Sequence, residues 1–316
     1  MSKKPKDIIV CLECGNSLDW QKDFVECSSC GRSFKIESGV IQFIDHSDNF
    51  YEGVYIRQIK YLPKRNIFKN WGFFNLVQSG VLGEIKKVLH PGGVVLDVGC
   101  GGGIMWLGSY AQTIGMELSQ ASLVEAKKCY AEAVRGDIQK MPFRDASFDL
   151  VYGSYVFEHL SPEIKENFLS EVFRVLKPGG TCVLQFDTLS NNWITRFALQ
   201  DMNAYKRGFI DTDGHIGLEP LSRGIKRIEG ADMEVVDVLK FGTTFLQYQA
   251  TYSWLNTSYG DKYPWVKYLS KSVNWILNYR LGIVLEFFVT AIDRLINPFS
   301  KIDSATRAIV VAKKPR

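Results

Sequence analysis

The sequence predicts an α/β fold built on a mainly parallel sheet, preceded by a small cysteine-stapled unit. Three observations predict it. Residues 94–103 read VVLDVGCGGG, an apolar run ending in an acid and a glycine-rich turn. Further apolar strand candidates follow at the spacing of βα units, and two Cys-x-x-Cys pairs stand near the N-terminus. With 316 residues, the chain can hold one full α/β domain, a stapled unit and an additional helical element.

The N-terminal unit comes first in the chain. Cys11 and Cys14 are followed after twelve residues by Cys27 and Cys30, and Gly15 and Gly31 follow the two pairs. Two such knuckles read as a tetrahedral four-cysteine zinc site, closed to further ligands and so structural. Glycine suits the tight turn that aims amide N–H groups at the thiolates. DIIVC and DFVEC read as strands entering the knuckles, and RSFKIESGVIQFID closes a ribbon over residues 1–46. The charged MSKKPKD start has no apolar secretory core, which predicts a cytoplasmic chain with reduced thiols. Residues 47–80 read as a linker or N-terminal helical segment.

In the main domain, residues 81–316, Val94–Leu96 is an apolar run of the kind buried in a parallel sheet. Gly99, Gly101 and Gly103 let the backbone turn and approach a ligand closely. The dinucleotide fingerprint G-x-G-x-x-G fails, because Ile104 or Trp106 occupies the third glycine position. The G-x-G-x-G spacing, two residues after Asp97, resembles the first motif of class I S-adenosylmethionine (SAM)-dependent methyltransferases of the methyltransferase type 11 kind. Thr113–Met116 is a second strand ending at Glu117 and Leu118. A carboxylate there can accept both ribose hydroxyl hydrogens, the alternative being a helix N-terminal acid. Ala133–Arg135 is a third strand, and Asp137 and Ile138 after it resemble the adenine-binding stretch of the same family. Asp137 also reads as a turn or N-cap aspartate. SFDLVYGSYVF, with Gly153 and Ser154, is the fourth strand; residues 163–176 keep helical apolar spacing; LKPGGTCVLQF is a Pro-Gly-Gly turn into a fifth strand. Residues 233–241 and 307–312 are the sixth and seventh strands. The resemblance covers about residues 81–241 plus the last strand. It implies a class I methyltransferase Rossmann-like seven-stranded sheet, here with an N-terminal zinc ribbon and a helical insertion between the last two strands.

Two regions are expected to wall the acceptor pocket: residues 187–217, and an aromatic-rich insertion at 243–304. Charges at Arg280, Glu286, Asp293 and Arg294 keep the insertion short of the roughly 18 to 20 uncharged residues that span a bilayer. A lid, a homodimer contact and peripheral membrane contact stay open for it. The candidate groups for orienting the acceptor or removing its proton are His159, His215 and Tyr155. Glu158 and His159 resemble quinone-type O-methyltransferases that hold a divalent metal with two acids and this histidine, yet Tyr155 stands where the earlier acid would be.

The family resemblance therefore implies methyl transfer from SAM to a hydroxyl or amine of a small metabolite, which the aromatic insertion suggests is bulky or lipid-linked. The ribbon also resembles those of the large-ribosomal-RNA guanine methyltransferases, although that type has a histidine as its last ligand where this chain has Cys30. Net charge is only +4, however, and the basic runs KYLPKRNIFK and KKPR are short, so nucleic acid is the second reading. A SAM-binding regulatory or scaffold protein is the third.

Overall fold

The structure is a computed structural model, and it describes residues 4–45, 52, 76–211, 213–243, 249–277, 288, 291–293 and 295–316. The chain begins with α1 (Pro5–Ile8), β1 (Leu18–Trp20), β2 (Phe24–Cys27), β3 (Ser33–Glu37) and β4 (Val40–Gln42). Next come α2 (Leu76–Val88), β5 (Val94–Val98), α3 (Met105–Tyr110), β6 (Gln112–Glu117), α4 (Gln120–Ala126), β7 (Glu132–Arg135) and β8 (Phe148–Ser154). The C-terminal half runs α5 (Pro162–Val175), β9 (Leu176–Asp187), α6 (Trp193–Ala198), α7 (Met202–Tyr205), α8 (Leu221–Gly230), β10 (Glu234–Phe241), α9 (Gln249–Tyr259), α10 (Pro264–Leu277) and β11 (Arg307–Lys313).

The strands form one sheet in the order β1-β2-β3-β4-β7-β6-β5-β8-β9-β11-β10. The seven expected strands are β5 to β11. Strands β7, β6, β5, β8 and β9 are parallel neighbours, and β11 runs antiparallel between β9 and β10. All five residues of β5 are buried, as helices on both faces require. Helix α5 shows how sequence sets the covering layer. The Ser161 hydroxyl accepts from the Ile164 N–H at its start and Pro162 opens the first turn. Phe168, Leu169, Val172 and Val175 then line the buried side.

Three features differ from the sequence reading. The ribbon joins the main sheet: β4 pairs in parallel with β7, Ile41 opposite Val134 and Gln42 opposite Arg135. Its Ile8, Val25, Phe34 and Ile41 belong to the same apolar core as Met141, Phe143 and Phe148. Secondly, DIIVC is not a strand; Pro5–Ile8 is a helical turn, and Ile9 and Val10 make isolated bridges to Phe143 and Ser17. Thirdly, the Pro-Gly-Gly segment is an irregularity inside β9. Gly179 adopts φ +77° and its N–H donates to the Lys314 carbonyl, so pairing continues with a register shift.

A separate apolar cluster, Ile194, Ala198, Ala204, Tyr205, Leu255, Tyr259 and Val266, joins α6 and α7 to α9 and α10. The two regions expected to wall the acceptor pocket thus pack on each other. Most of the linker at 47–80 and much of the 278–290 stretch lie outside the described residues. Among those described, no helix is long and apolar enough to cross a membrane.

Candidate active site and cysteine centre

Register brings the glycine turn and three acids to one edge of the sheet. Asp97 lies opposite Gly115 and Val98 opposite Met116, so Gly99 to Gly103 and Glu117 emerge side by side at the carboxyl ends of β5 and β6. Glu117 pairs with Arg135, which sets Asp137 just beyond β7. The chain runs β5, β6, β7 to one side and then places β8 on the other side of β5, so the turn occupies the switch point where ligands of open α/β sheets bind.

Gly99, Gly101 and Gly103 have φ of +61°, +49° and +81°. A Cβ on Gly99 would sit 2.2 Å from Val156 Cγ2, and one on Gly103 would sit 3.1 Å from the Ala126 backbone. The turn is therefore closed to side chains by its own surroundings as well as by its conformation. Asp97 lies beneath it, buried, and accepts a 2.5 Å hydrogen bond from the Tyr130 hydroxyl, which in turn accepts from the Ile104 N–H at 2.7 Å. Burial pushes its carboxyl up to about 7, against the opposing effect of Tyr130. Asp97 thus braces the turn from below.

The Glu117 carboxylate accepts from the N–H groups of Leu118 at 2.7 Å, Gly101 at 3.2 Å and Ser119 at 3.3 Å. Burial raises its pKa, and these donors oppose the rise. The Leu118 carbonyl is held by Arg135 Nε at 2.8 Å, and Arg135 also reaches Gln42 on β4. Asp137 Oδ1 accepts from the Gln139 N–H at 2.9 Å, the turn geometry foreseen as its alternative role, while Ile138 packs on the core. Gly153 is a packing residue: a Cβ there would meet Leu184 at 3.0 Å and Val98 at 3.2 Å. Ser154 ends β8, half-buried and in register with Gln185.

The side chains expected to face the acceptor come from distant segments. Tyr155 has φ +57°, a costly conformation for a side chain of this size. Its hydroxyl accepts from Gln185 Nε2 at 2.7 Å, and the Arg307 guanidinium lies 4.9 Å from its ring while bonding Asp187 at 2.9 Å. Glu158 is buried; Oε1 accepts from the Asp187 N–H, and Oε2 has no partner among the described residues. Burial, then the Asp187 charge, pushes its carboxyl up to about 8. His159 Nδ1 lies 3.0 Å from the Gly214 carbonyl. A carbonyl only accepts, so Nδ1 carries the proton and Nε2 is left as an acceptor. Burial lowers the His159 pKa and brings that of His215 down to about 4. The two rings meet edge-on with centroids 4.9 Å apart. Glu158, His159 and His215 each bring a ligand-type atom within 4.8 Å of the others, a set able to move a proton or to hold a cation.

The His215 loop is fixed by a buried ion pair. Lys165 Nζ bonds Glu219 at 2.9 Å and the Gly217 carbonyl at 2.5 Å, and the Gly217 N–H donates to the Glu158 carbonyl at 2.8 Å. Sequence reading located His159, His215 and Tyr155 but missed Tyr130, Gln185, Asp187 and Arg307, for no local spacing marks them.

His215 has a consequence for pH. Its folded pKa is depressed below 6.5, so its stabilising contribution is complete above pH 6.5 and is lost as pH falls through about 4. Relative to His215→Gln, the unmodified protein should lose up to about 3 kcal/mol across that window in urea unfolding at stepped pH. Parallel stability profiles for the two proteins would contradict the assignment.

The cysteine centre is equally defined. The Cys11 and Cys30 sulfurs are 3.6 Å apart and those of Cys14 and Cys27 are 3.4 Å apart, with all four within 4.8 Å of one another. A tetrahedral ion with bonds near 2.3 Å needs edges of roughly 3.8 Å, so the group suits zinc. Gly15 and Gly31 share φ +70°, and their N–H groups donate to the Cys11 and Cys27 carbonyls. The Asn16 backbone, then its side chain, pull the Cys14 thiol down to about 6. A cavity of about 570 Å³ lies between ribbon and sheet, lined by Cys11, Lys140, Arg144 and Arg174. Arg144 is engaged by the Asp7 carbonyl and Ser17, and Arg174 by Glu171 and Asp145.

A family model described as a methyltransferase domain matches residues 96–184, which run from β5 into β9. Residues 96–184 are a methyltransferase domain. An uncharacterized methyltransferase of Synechocystis is 35% identical over 111 residues, covering 34% of this chain and 52% of the relative. The phthiotriol/phenolphthiotriol dimycocerosates methyltransferase of Mycobacterium tuberculosis is 40% identical over 95 residues, 27% of this chain and 34% of that one. A sterol 24-C-methyltransferase of Gibberella zeae is 36% identical over 104 residues, 29% and 27% respectively. The chain thus spans between about a quarter and a half of the length of these curated relatives. Among solved structures, a phosphoethanolamine N-methyltransferase of Haemonchus contortus aligns at 16% identity and TM-score 0.47, over 75% of this chain and 53% of that one. The methyltransferase domain thus includes the glycine turn, Glu117, Asp137 and His159.

Proposed function

We propose that the protein transfers the methyl group of SAM to a hydroxyl or amine of a small, bulky or lipid-linked metabolite, with a structural zinc in its ribbon. The observation that carries the reading is the imidazole of His159, its Nδ1 held on the Gly214 carbonyl so that Nε2 is the unprotonated nitrogen, three residues after Val156, which packs against Gly99 of the glycine turn. Relatives named for a sterol and for a dimycocerosate support an apolar acceptor.

The residues fit the cofactor: a turn closed to side chains offers backbone, Glu117 offers two carboxylate oxygens to ribose hydroxyls, and Asp137 and Ile138, just past β7, belong to the stretch that resembles the family's adenine-binding segment. When bound, SAM supplies a methyl group on a sulfonium, already electrophilic. The chain then has to hold the acceptor in line with the C–S bond and take its proton. His159 Nε2 would take the proton that the acceptor gives up as it is methylated. Tyr155, fixed by Gln185 and Arg307, orients the acceptor, and the buried Glu158 and half-buried His215 limit access of water and competing donors. The four cysteine thiolates hold zinc and steady the ribbon, whose strand β4 carries Gln42, a hydrogen-bond partner of Arg135.

Calorimetric SAM titration paired with turnover assays tests this assignment. Glu117→Ala should weaken SAM binding by about 1–3 kcal/mol, the cost of a lost charged hydrogen bond. His159→Ala should leave that affinity unchanged and slow transfer by about 10²–10⁴. Unchanged affinity in the first variant, or normal turnover in the second, would refute the respective role.

A further inference from the structure

Helix α10 carries an outward aromatic face. At 3.6 residues per turn, Trp265, Tyr268, Ser272 and Trp275 fall on one side of it and Lys267 and Lys271 border that side. The opposite side holds the buried Val266 and Ser270, which fix the helix against the cluster shared with α6, α7 and α9. Trp265, Tyr268 and Trp275 are 46%, 71% and 66% exposed. The Trp265 ring meets Phe197 of α6 edge-on at 5.1 Å, so the surface continues toward the exposed Trp193 and Met202. Helix α6 begins six residues after Asp187, which places this surface beside the acceptor end of the sheet.

We propose that this face docks on a lipid bilayer bearing anionic headgroups. Tryptophan and tyrosine settle at the boundary between headgroups and acyl chains, and lysines beside them reach the phosphates. Helix α10 contains two lysines and no acid, so its charge complements an anionic surface. A second copy pairing face to face would gather four lysines with no carboxylate from α10 to offset them. The helix lies in the interface and does not span it, in keeping with its 14 residues. The proposal deepens the lipid-linked acceptor reading and rests on it for its purpose: a bilayer-borne acceptor would be presented next to the Tyr155 and His159 side of the site.

Flotation of the full chain with phosphatidylcholine vesicles, with and without phosphatidylglycerol, tests the proposal without requiring turnover. The protein should float with the anionic vesicles, and Lys267→Gln/Lys271→Gln should reduce partitioning about thirtyfold, as expected for two lysines near such a surface. Tyr268→Ser should reduce it on both vesicle types. All the substituted positions are exposed, and calorimetric SAM affinity verifies that each variant keeps its cofactor site. Wild-type protein that stays unbound, or that floats equally with and without these substitutions, overturns the proposal. So does a dimer in sedimentation equilibrium that Tyr268→Asp splits, which assigns the face to a second copy. If vesicle binding fails while methyl transfer persists, the docking surface is wrong and the catalytic reading stands.

Discussion

Replacing Cys14 with serine is expected to remove the metal and release the outer ribbon. Structural zinc sites of this type contribute on the order of 10 kcal/mol, because the site forms only with the fold. A serine hydroxyl cannot replace a thiolate whose pKa Asn16 has already brought down to about 6. Elemental analysis should fall from one zinc per chain to near zero. Hydrogen exchange should speed up in β1, β2 and β3, where pairing is confined to the ribbon. Strands β5, β8 and β9 should keep their protection, for they are held by the parallel sheet and its helices. Unchanged zinc content and unchanged ribbon protection in the variant would remove the metal from the account.

Gly217→Ala is expected to damage the acceptor side while leaving the cofactor turn intact. A Cβ at this position would lie 1.9 Å from the Leu160 carbonyl oxygen and 3.1 Å from that of Glu158. Both are backbone atoms, so relief requires a main-chain shift. Overpacking of this sort costs about 1–3 kcal/mol. The shift acts on the hydrogen bond from the Gly217 N–H to the Glu158 carbonyl and on the Lys165 contact to the Gly217 carbonyl. These contacts position His215 near His159, so turnover should fall far more than SAM affinity does. The comparison is a melting curve, a SAM titration and a transfer assay on the same sample. A variant with normal melting and normal turnover would show that the loop tolerates the change and that its position does not matter to transfer.

The glycine turn and the acids beside it were legible in the sequence because their determinants are local. Positive φ at Gly99, Gly101 and Gly103, an acid at the end of β6 and another after β7 are all set within a few residues of a strand end. The cysteine knuckles were legible for the same reason. What lay hidden depends on pairing across long stretches of chain. Tyr130 supports Asp97 from 33 residues away, and the Lys165 contact that fixes the His215 loop spans 52 residues. The three-residue strand β4 carries too little pattern to announce that it would extend the main sheet beside β7. Glycine-rich segments misled in one place: Pro178, Gly179 and Gly180 read as a turn, yet backbone freedom at Gly179 let β9 bend and continue. Tyr155 read as a candidate for orienting the acceptor, and its strained backbone and Arg307 contact are visible only in the structure.

Native mass spectrometry of gently purified protein, followed by addition of SAM, tests the central claim most directly. The account predicts a chain that carries one zinc ion and binds one SAM or S-adenosylhomocysteine, with no RNA retained. A chain that takes up no cofactor at saturating SAM would contradict it.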